Sequence, residues 1–288
     1  MENQVPNIKI LVCCHKRDTW LSDEVYMPIH VGKAISKEDL GIQGDNTGDN
    51  ISEKNKSFCE LTAIYWAWKN LSNFDYIGLC HYRRYFDFNS GGKYFNSLKI
   101  IKSNELDQYN IKIPNISKLL NKYDAILAKP KVYEYSLKTE YCLSHISEDY
   151  EVMKEIVKKF IPDYYDAFKQ VFEENNKLSH FNMFIVPNNI FNDYSKWLFA
   201  LLDQIENELD ISHYSAHQKR IFGYMGERFL NIYVVKNNLR VKYYPVLWVN
   251  IDAKDDCLIK NMLFYIRAQA AFSITNFHLP KLLKKLLK

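Results

Sequence analysis

No stretch of this 288-residue chain is long and apolar enough to span a bilayer. The polar start, Met1 to Asn7, leads into only a short apolar run, Ile8 to Cys14, which does not resemble a signal-peptide core, and a cytoplasmic protein is expected. Six cysteines (Cys13, Cys14, Cys59, Cys80, Cys142, Cys257) include no CxxC pair, which argues for reduced thiols and against disulfides or a zinc site. The net charge of +4 is too small to point to nucleic acid, and no basic stripe is interleaved with aromatics. P-loop and dinucleotide-binding spacings are missing, so kinase and dehydrogenase chemistry find no support. What remains is a chain 47% hydrophobic and 25% charged, enough for one large α/β domain or a domain with an appendage. Aromatics make up 15%, with Tyr the most numerous, which suits a site that stacks sugars or a base.

The most informative stretch runs from Phe74 to Phe86. Tyr76 to Cys80 is short and apolar, as a buried parallel strand should be, and His81-Tyr82-Arg83-Arg84 follows at its carboxyl end. Ligands collect at that end of strands in open α/β sheets. In an extended continuation His81 and Arg83 point to one side and Tyr82 and Arg84 to the other, so one face offers an imidazole and a guanidinium to an anion. A solvated basic turn or internal ion pairs are the bland alternative. Ile8 to Cys14 reads as the first strand, and His15, Lys16 and Arg17 at its end form a second basic edge.

Gly41 to Asn50, with three Gly and two Asp, reads as a loop without regular structure. Ser57 to Glu60 fits a capping box, and Leu61, Ile64, Tyr65 and Trp68 follow at helical spacing, so a helix is expected from Ser57 to Leu71. Glu60 and Lys69 are its polar exceptions, a cap and a snorkelling lysine or two ligand contacts. Asn89 to Asn121 reads as a polar insertion or lid. Further strands are expected at Tyr123 to Ala128, Ser179 to Val186 and Val241 to Asn250, and helices over Glu148 to Phe160, after Pro187, and over His217 to Arg228. His145 and Asp149 can do acid/base work or cap a helix; Glu227 and Arg228 can reach a cleft or pair internally.

Taken together, Phe58 to Asn70, Gly78 to Phe86 with its His-Tyr-Arg-Arg-Tyr-Phe run, Asn182 to Ile185 and Arg220 to Arg228 resemble a bacterial family of glycosyltransferases. Its members serve capsule, exopolysaccharide and O-antigen synthesis, and it was long catalogued as a domain of unknown function. The resemblance implies a GT-A-like α/β fold over residues 1–250, with a mostly parallel central sheet flanked by helices. It implies a hexose, galactose or galactofuranose, moved from a UDP-sugar donor to a glycan or lipid-linked oligosaccharide acceptor. GT-A enzymes usually carry Asp-x-Asp, whose carboxylates hold a divalent metal; here His81-Tyr82-Arg83 stands there, so no metal or other cofactor is called for. On this reading His15, Lys16, Asn50, Glu60, Lys69, His81, Arg83 and Arg84 bind the donor. His145, His180, Asn182, Gln218 and Arg220 bind the acceptor, and Glu227, ahead of Asp149, is the catalytic carboxylate. A non-catalytic nucleotide-sugar or glycan binder is the alternative. Residues 251–288 form a separate helical segment ending in Lys281, Lys284, Lys285 and Lys288 among leucines, which suits an anionic membrane surface on the inner face of the plasma membrane.

Overall fold

A computed structural model describes residues 6–91, 96–250 and 258–276. The strands in chain order are β1 (Ile8–Cys14), β2 (Tyr26–His30), β3 (Gln43–Gly44), β4 (Tyr76–His81), β5 (Arg84–Phe86), β6 (Leu98–Ile101), β7 (Ala125–Ala128), β8 (Lys131–Val132), β9 (Lys177–Leu178), β10 (Phe184–Pro187), β11 (Val241–Tyr244) and β12 (Val246–Val249). The main sheet has the order β11-β7-β10-β4-β1-β2-β3, parallel except for β10, which runs against both β4 and β7. β5, β12 and β6 extend it off the path at β4. This is the expected mostly parallel sheet flanked by helices.

The apolar runs of β1 and β4 are buried on both faces, as parallel strands between two layers must be. Leu11, Ile77, Leu79, Leu127 and Phe184 face one layer, which holds helices Leu61–Asn70, Ser147–Phe160, Tyr165–Phe172, Asn188–Glu208 and Ile221–Lys236. Ile10, Val12, Cys80, Ile126 and Ile185 face the other, built from Tyr82, Tyr85, Phe86, Phe88, Ile116 and Leu247. Gly78 lets β4 and β10 lie flush, because a Cβ there would meet Ile185 Cγ1 at 2.7 Å and Phe184 O at 2.8 Å.

Several local expectations are corrected. The helix over Ser57–Leu71 is two helices, Asn55–Phe58 and Leu61–Asn70, broken at Cys59, whose φ is 52° and ψ −132°. No capping box forms: Ser57 Oγ donates to Lys54 O at 3.1 Å, and the Glu60 side chain turns elsewhere. The loop Gly41–Asn50 includes the two-residue β3, paired with β2. Within the stretch read as a polar insertion, β6 pairs with β12 and a helix forms over Ile116–Leu120. Pro245 divides the last expected strand into β11, beside β7, and β12, beside β5. Helix Leu258–Asn276 follows residues 251–257, and the Lys281–Lys288 segment lies outside the described residues. No helix among the described residues is long and apolar enough to cross a membrane.

Candidate active site

The carboxyl ends of β1, β2 and β4 meet the entry to β10 at one edge, because β10 runs against β4. A cleft of ≈ 1020 Å³ opens there, lined among others by His15, Lys56, Glu60, His81, Arg84, Phe181, Lys219, Arg220, Tyr224, Glu227 and Trp248. The backbone at this edge is strained in three places: Cys59, Phe181 and Asn182 all have positive φ without being glycine. Each deviation aims a polar group. The turn at Phe181 sends its N–H to Glu227 Oε1 (2.8 Å) and its carbonyl to His81 Nε2 (2.8 Å). The turn at Asn182 sends Nδ2 to Glu60 Oε1 (2.7 Å), and the kink at Cys59 brings Glu60 to meet it. Gly226 permits this approach, since a Cβ there would meet Leu61 at 3.0 Å and Asn182 Oδ1 at 3.2 Å.

The extended continuation expected after His81 does not occur. The chain turns at Tyr82-Arg83, and Arg84 pairs directly with His81 in the antiparallel β4–β5 ladder. Residue parity past the turn is thereby reversed relative to a continuing strand. Arg83 is taken up by Asp18, through Nε at 2.9 Å and Nη2 at 2.6 Å. Arg84 lies between aromatic faces, 4.6 Å from the Phe181 centroid and 5.0 Å from that of Trp248, with no carboxylate paired to it among the described residues. His81 is not a cation: burial first, and Arg84 second, hold its pKa at about 3. A carbonyl can only accept, so Nε2 carries the proton and Nδ1 is left as an acceptor, better matched to a sugar hydroxyl than to a phosphate oxygen.

Arg220 Nε donates to Cys59 Sγ at 3.3 Å, and its guanidinium lies 5.6 Å from the Tyr224 ring. Burial pushes the Cys59 thiol up to about 12, so Arg220 meets a neutral sulfur and keeps its charge uncompensated. With Lys56 and Lys219, the cleft therefore holds four cations that have no acidic partner among the described residues. His15 stands edge-on to Tyr82 at 5.3 Å, and its pKa is lowered by desolvation first, then by Lys16 and Arg220.

The two cleft carboxylates differ in kind. Burial alone would raise Glu227, but His180, Arg228 and the Phe181 N–H outweigh it and hold the pKa down at about 2. Its Oε2 receives His180 Nδ1 at 3.1 Å and Arg228 Nη1 at 3.2 Å; His180 Nε2 meets the Tyr133 hydroxyl at 2.6 Å, and the buried Arg228 also holds Glu140 at 2.6 Å. Glu60 has no such cation. Burial raises it to about 7, against the lowering effect of the Asn182 hydrogen bond. Glu227→Gln is expected to destabilise the fold by roughly 2–3 kcal/mol, because Arg228 keeps only part of its compensation. Chemical denaturation measures it; a cost below 0.5 kcal/mol, a bound set at about the level of ordinary surface substitutions, would show that the network carries no structural weight.

Of the residues expected at the site, His15, Glu60, His81, Arg83, Arg84, Arg220 and Glu227 line the cleft, with His180 and Asn182 directly behind Glu227 and Glu60. His145 backs the wall, stacked on Tyr224 at 4.2 Å. Gln218 is turned to Ser144 O at 3.4 Å and does not line it. Asp149 is also away from the cleft, a buried acceptor for the Tyr214 hydroxyl at 2.6 Å, which removes the geometric basis for a catalytic role. Asn50 bonds Gly48 O, Lys69 covers the Trp68 ring at 3.7 Å, and Lys16 is exposed; none lines the cleft. Sequence reasoning missed Lys56, Lys219, Tyr224 and Trp248. Lys56 and Lys219 sit within four residues of Glu60 and Arg220, a signal that was available, whereas Trp248 comes from a strand whose pairing with β5 nothing local announces.

A comparison with curated proteins gives no match. Among solved structures the chain is similar to the WbbM bifunctional glycosyltransferase in its apo structure, with a TM-score of 0.77 and 33% identity, over 85% of this chain and 45% of that one. The present chain thus spans less than half of that relative's length. A family model described as a domain of unknown function, DUF4422, matches residues 9–238, and the chain belongs to that family.

Proposed function

We propose that this chain is a glycosyltransferase that moves a hexose from a uridine diphosphate sugar to a glycan or lipid-linked oligosaccharide in surface-polysaccharide synthesis, without a divalent metal. The observation that carries this reading is the cleft: four cations without an acidic partner among the described residues face two half-buried carboxylates on a fold shared with a solved glycosyltransferase. A departing diphosphate needs its charge neutralised, and Arg84, Arg220, Lys56 and Lys219 are placed to do that electrostatically. The donor set does not fit a metal. His81 and Arg84 occupy the strand end, and among the described residues no three His, Cys, Asp or Glu side chains converge as ligands. Glu227 stays ionised across the working pH range and suits stabilisation of positive charge at the anomeric carbon; Glu60 suits proton exchange near neutrality. Uridine and galactose or galactofuranose follow from the family resemblance. The proposal includes an inner-membrane location reached through the lysine-rich segment ending at Lys288.

Calorimetry with a panel of uridine diphosphate hexoses tests the donor and metal parts together. One of them is expected to bind with the same affinity in chelator and in manganese, and to be slowly hydrolysed. Binding that appears only with manganese overturns the metal-free reading. Binding without hydrolysis or transfer to any acceptor favours a non-catalytic nucleotide-sugar binder.

A further inference from the structure

Helix Leu258–Asn276 is 19 residues long and, among the described residues, packs on the rest of the chain along one side. Ala268 and Phe272 are buried, Gln269 Nε2 reaches Asn176 Oδ1 at 3.4 Å, and Arg267 pairs with Glu134 at 2.6 Å. The opposite side is open and apolar apart from exposed Ser273: Met262 is 43% exposed, Leu263 58%, Ile266 56% and Ile274 54%. At the helical repeat these four, with exposed Ala270, fall within a sector about 120° wide. A soluble surface rarely leaves such a continuous stripe uncovered.

Charge identifies what covers it. From Leu258 to Lys288 the chain has Lys260, Arg267, Lys281, Lys284, Lys285 and Lys288 and no Asp or Glu. The whole chain has 38 basic and 34 acidic residues; without these six it has 32 against 34, a net of −2. The entire positive excess therefore lies, in sequence, within this helix and the segment that follows it, and basic residues next to an apolar stripe are the combination that binds an anionic lipid surface and that a hydrophobic protein partner does not require. The helix contacts β8, and β8 runs directly into Tyr133, whose hydroxyl closes the chain through His180 to Glu227.

We propose that the outer face of helix Leu258–Asn276 is the surface by which the protein lies on an anionic bilayer, with Met262, Leu263, Ile266 and Ile274 set below the headgroups. This rests on the membrane part of the function proposed above and moves the main apolar contact from the lysine-rich segment to the helix. Glu227 is then joined through His180, Tyr133 and β8 to the membrane-bound helix, which suits an acceptor carried by the membrane.

Vesicle flotation of the full chain tests this, with phosphatidylglycerol-containing vesicles against pure phosphatidylcholine. The wild type is expected to float at least tenfold better with the anionic vesicles. The pair Leu263→Glu and Ile266→Glu is expected to lose at least tenfold of that binding; the milder pair Leu263→Ser and Ile266→Ser guards against misfolding and should also lose most of it. Calorimetric donor binding, read on the same proteins without vesicles, should be unchanged, so failure of the donor reading shows separately. Wild-type affinity in both pairs overturns the proposal, as does loss only when Lys281, Lys284, Lys285 and Lys288 are changed to Gln. A wild type that ignores both vesicle types, and dimerises through this face by light scattering, overturns it as well.

Discussion

Arg84→Ala is expected to weaken binding of the uridine diphosphate sugar by about 1.5–3 kcal/mol, roughly 10- to 150-fold, while leaving the fold intact. The guanidinium stacks on Phe181 and Trp248 and has no carboxylate to lose, so its removal strands no buried charge inside the protein. The neighbouring Arg83→Ala should cost the donor much less, because Asp18 already neutralises Arg83. Arg84→Lys should recover only part of the affinity, since an ammonium cannot stack as a planar fork does. Isothermal calorimetry on the three variants gives the order directly. If Arg83→Ala proves the more damaging, the cation that meets the diphosphate is the one read from an extended strand, and the turn at Tyr82-Arg83 opens on donor binding.

Glu60→Gln should produce two effects of opposite sign. Turnover is expected to fall by a factor on the order of 100 or more, as for a lost acid/base group, and the limb of the pH–rate profile near 7 should vanish with it. Stability should rise, but only at high pH. The carboxyl sits at about 7 in the folded chain against 4.5 ordinarily, so it favours the folded state fully below 4.5 and loses that contribution as pH rises through 7. The displacement corresponds to about 3 kcal/mol, and Gln, which never ionises, escapes the loss. Denaturant midpoints at pH 5 and pH 8 should therefore differ less in the variant than in the wild type. Equal pH dependence in both proteins would show that Glu60 is ionised at neutrality, and a retained limb near 7 would assign it to another group.

The strands and the long helices were legible because their signals are local: an apolar run bounded by Asp75 and His81, or a 3.6-residue stripe such as Phe191, Tyr194, Leu198 and Leu202. His81, Arg84 and Glu60 were legible as polar residues at the ends or kinks of buried elements, and Glu227 as a carboxylate among core residues of a helix. Their division of labour was not. Arg83 and Arg84 exchanged roles because a two-residue turn without Asn-Gly or similar chemistry gives no warning in the sequence. Glu60 looked like a capping residue because Ser57 stands three positions before it; the close approach of Asn182, 122 residues away, overrides that local preference. Arg228 was read beside Glu227, whereas its shorter contact is to Glu140, in another helix, a burial partnership no spacing can reveal.

The late place of β10 in the chain also orders the birth of the protein. β4 is complete at His81 and β7 at Ala128, yet the strand that separates and seals them, Phe184–Pro187, is translated later. While residues 129–183 are being made, both partners present open apolar edges, the arrangement most prone to pairing with a neighbouring chain. The same late segment carries Phe181 and Asn182, on which His81 and Glu60 depend for their hydrogen bonds. A nascent chain therefore possesses Arg83 and Arg84 before it possesses a pocket; the insertion of four residues joins β4 to β7, while Arg220, Glu227 and Trp248 arrive only with the segments made after it.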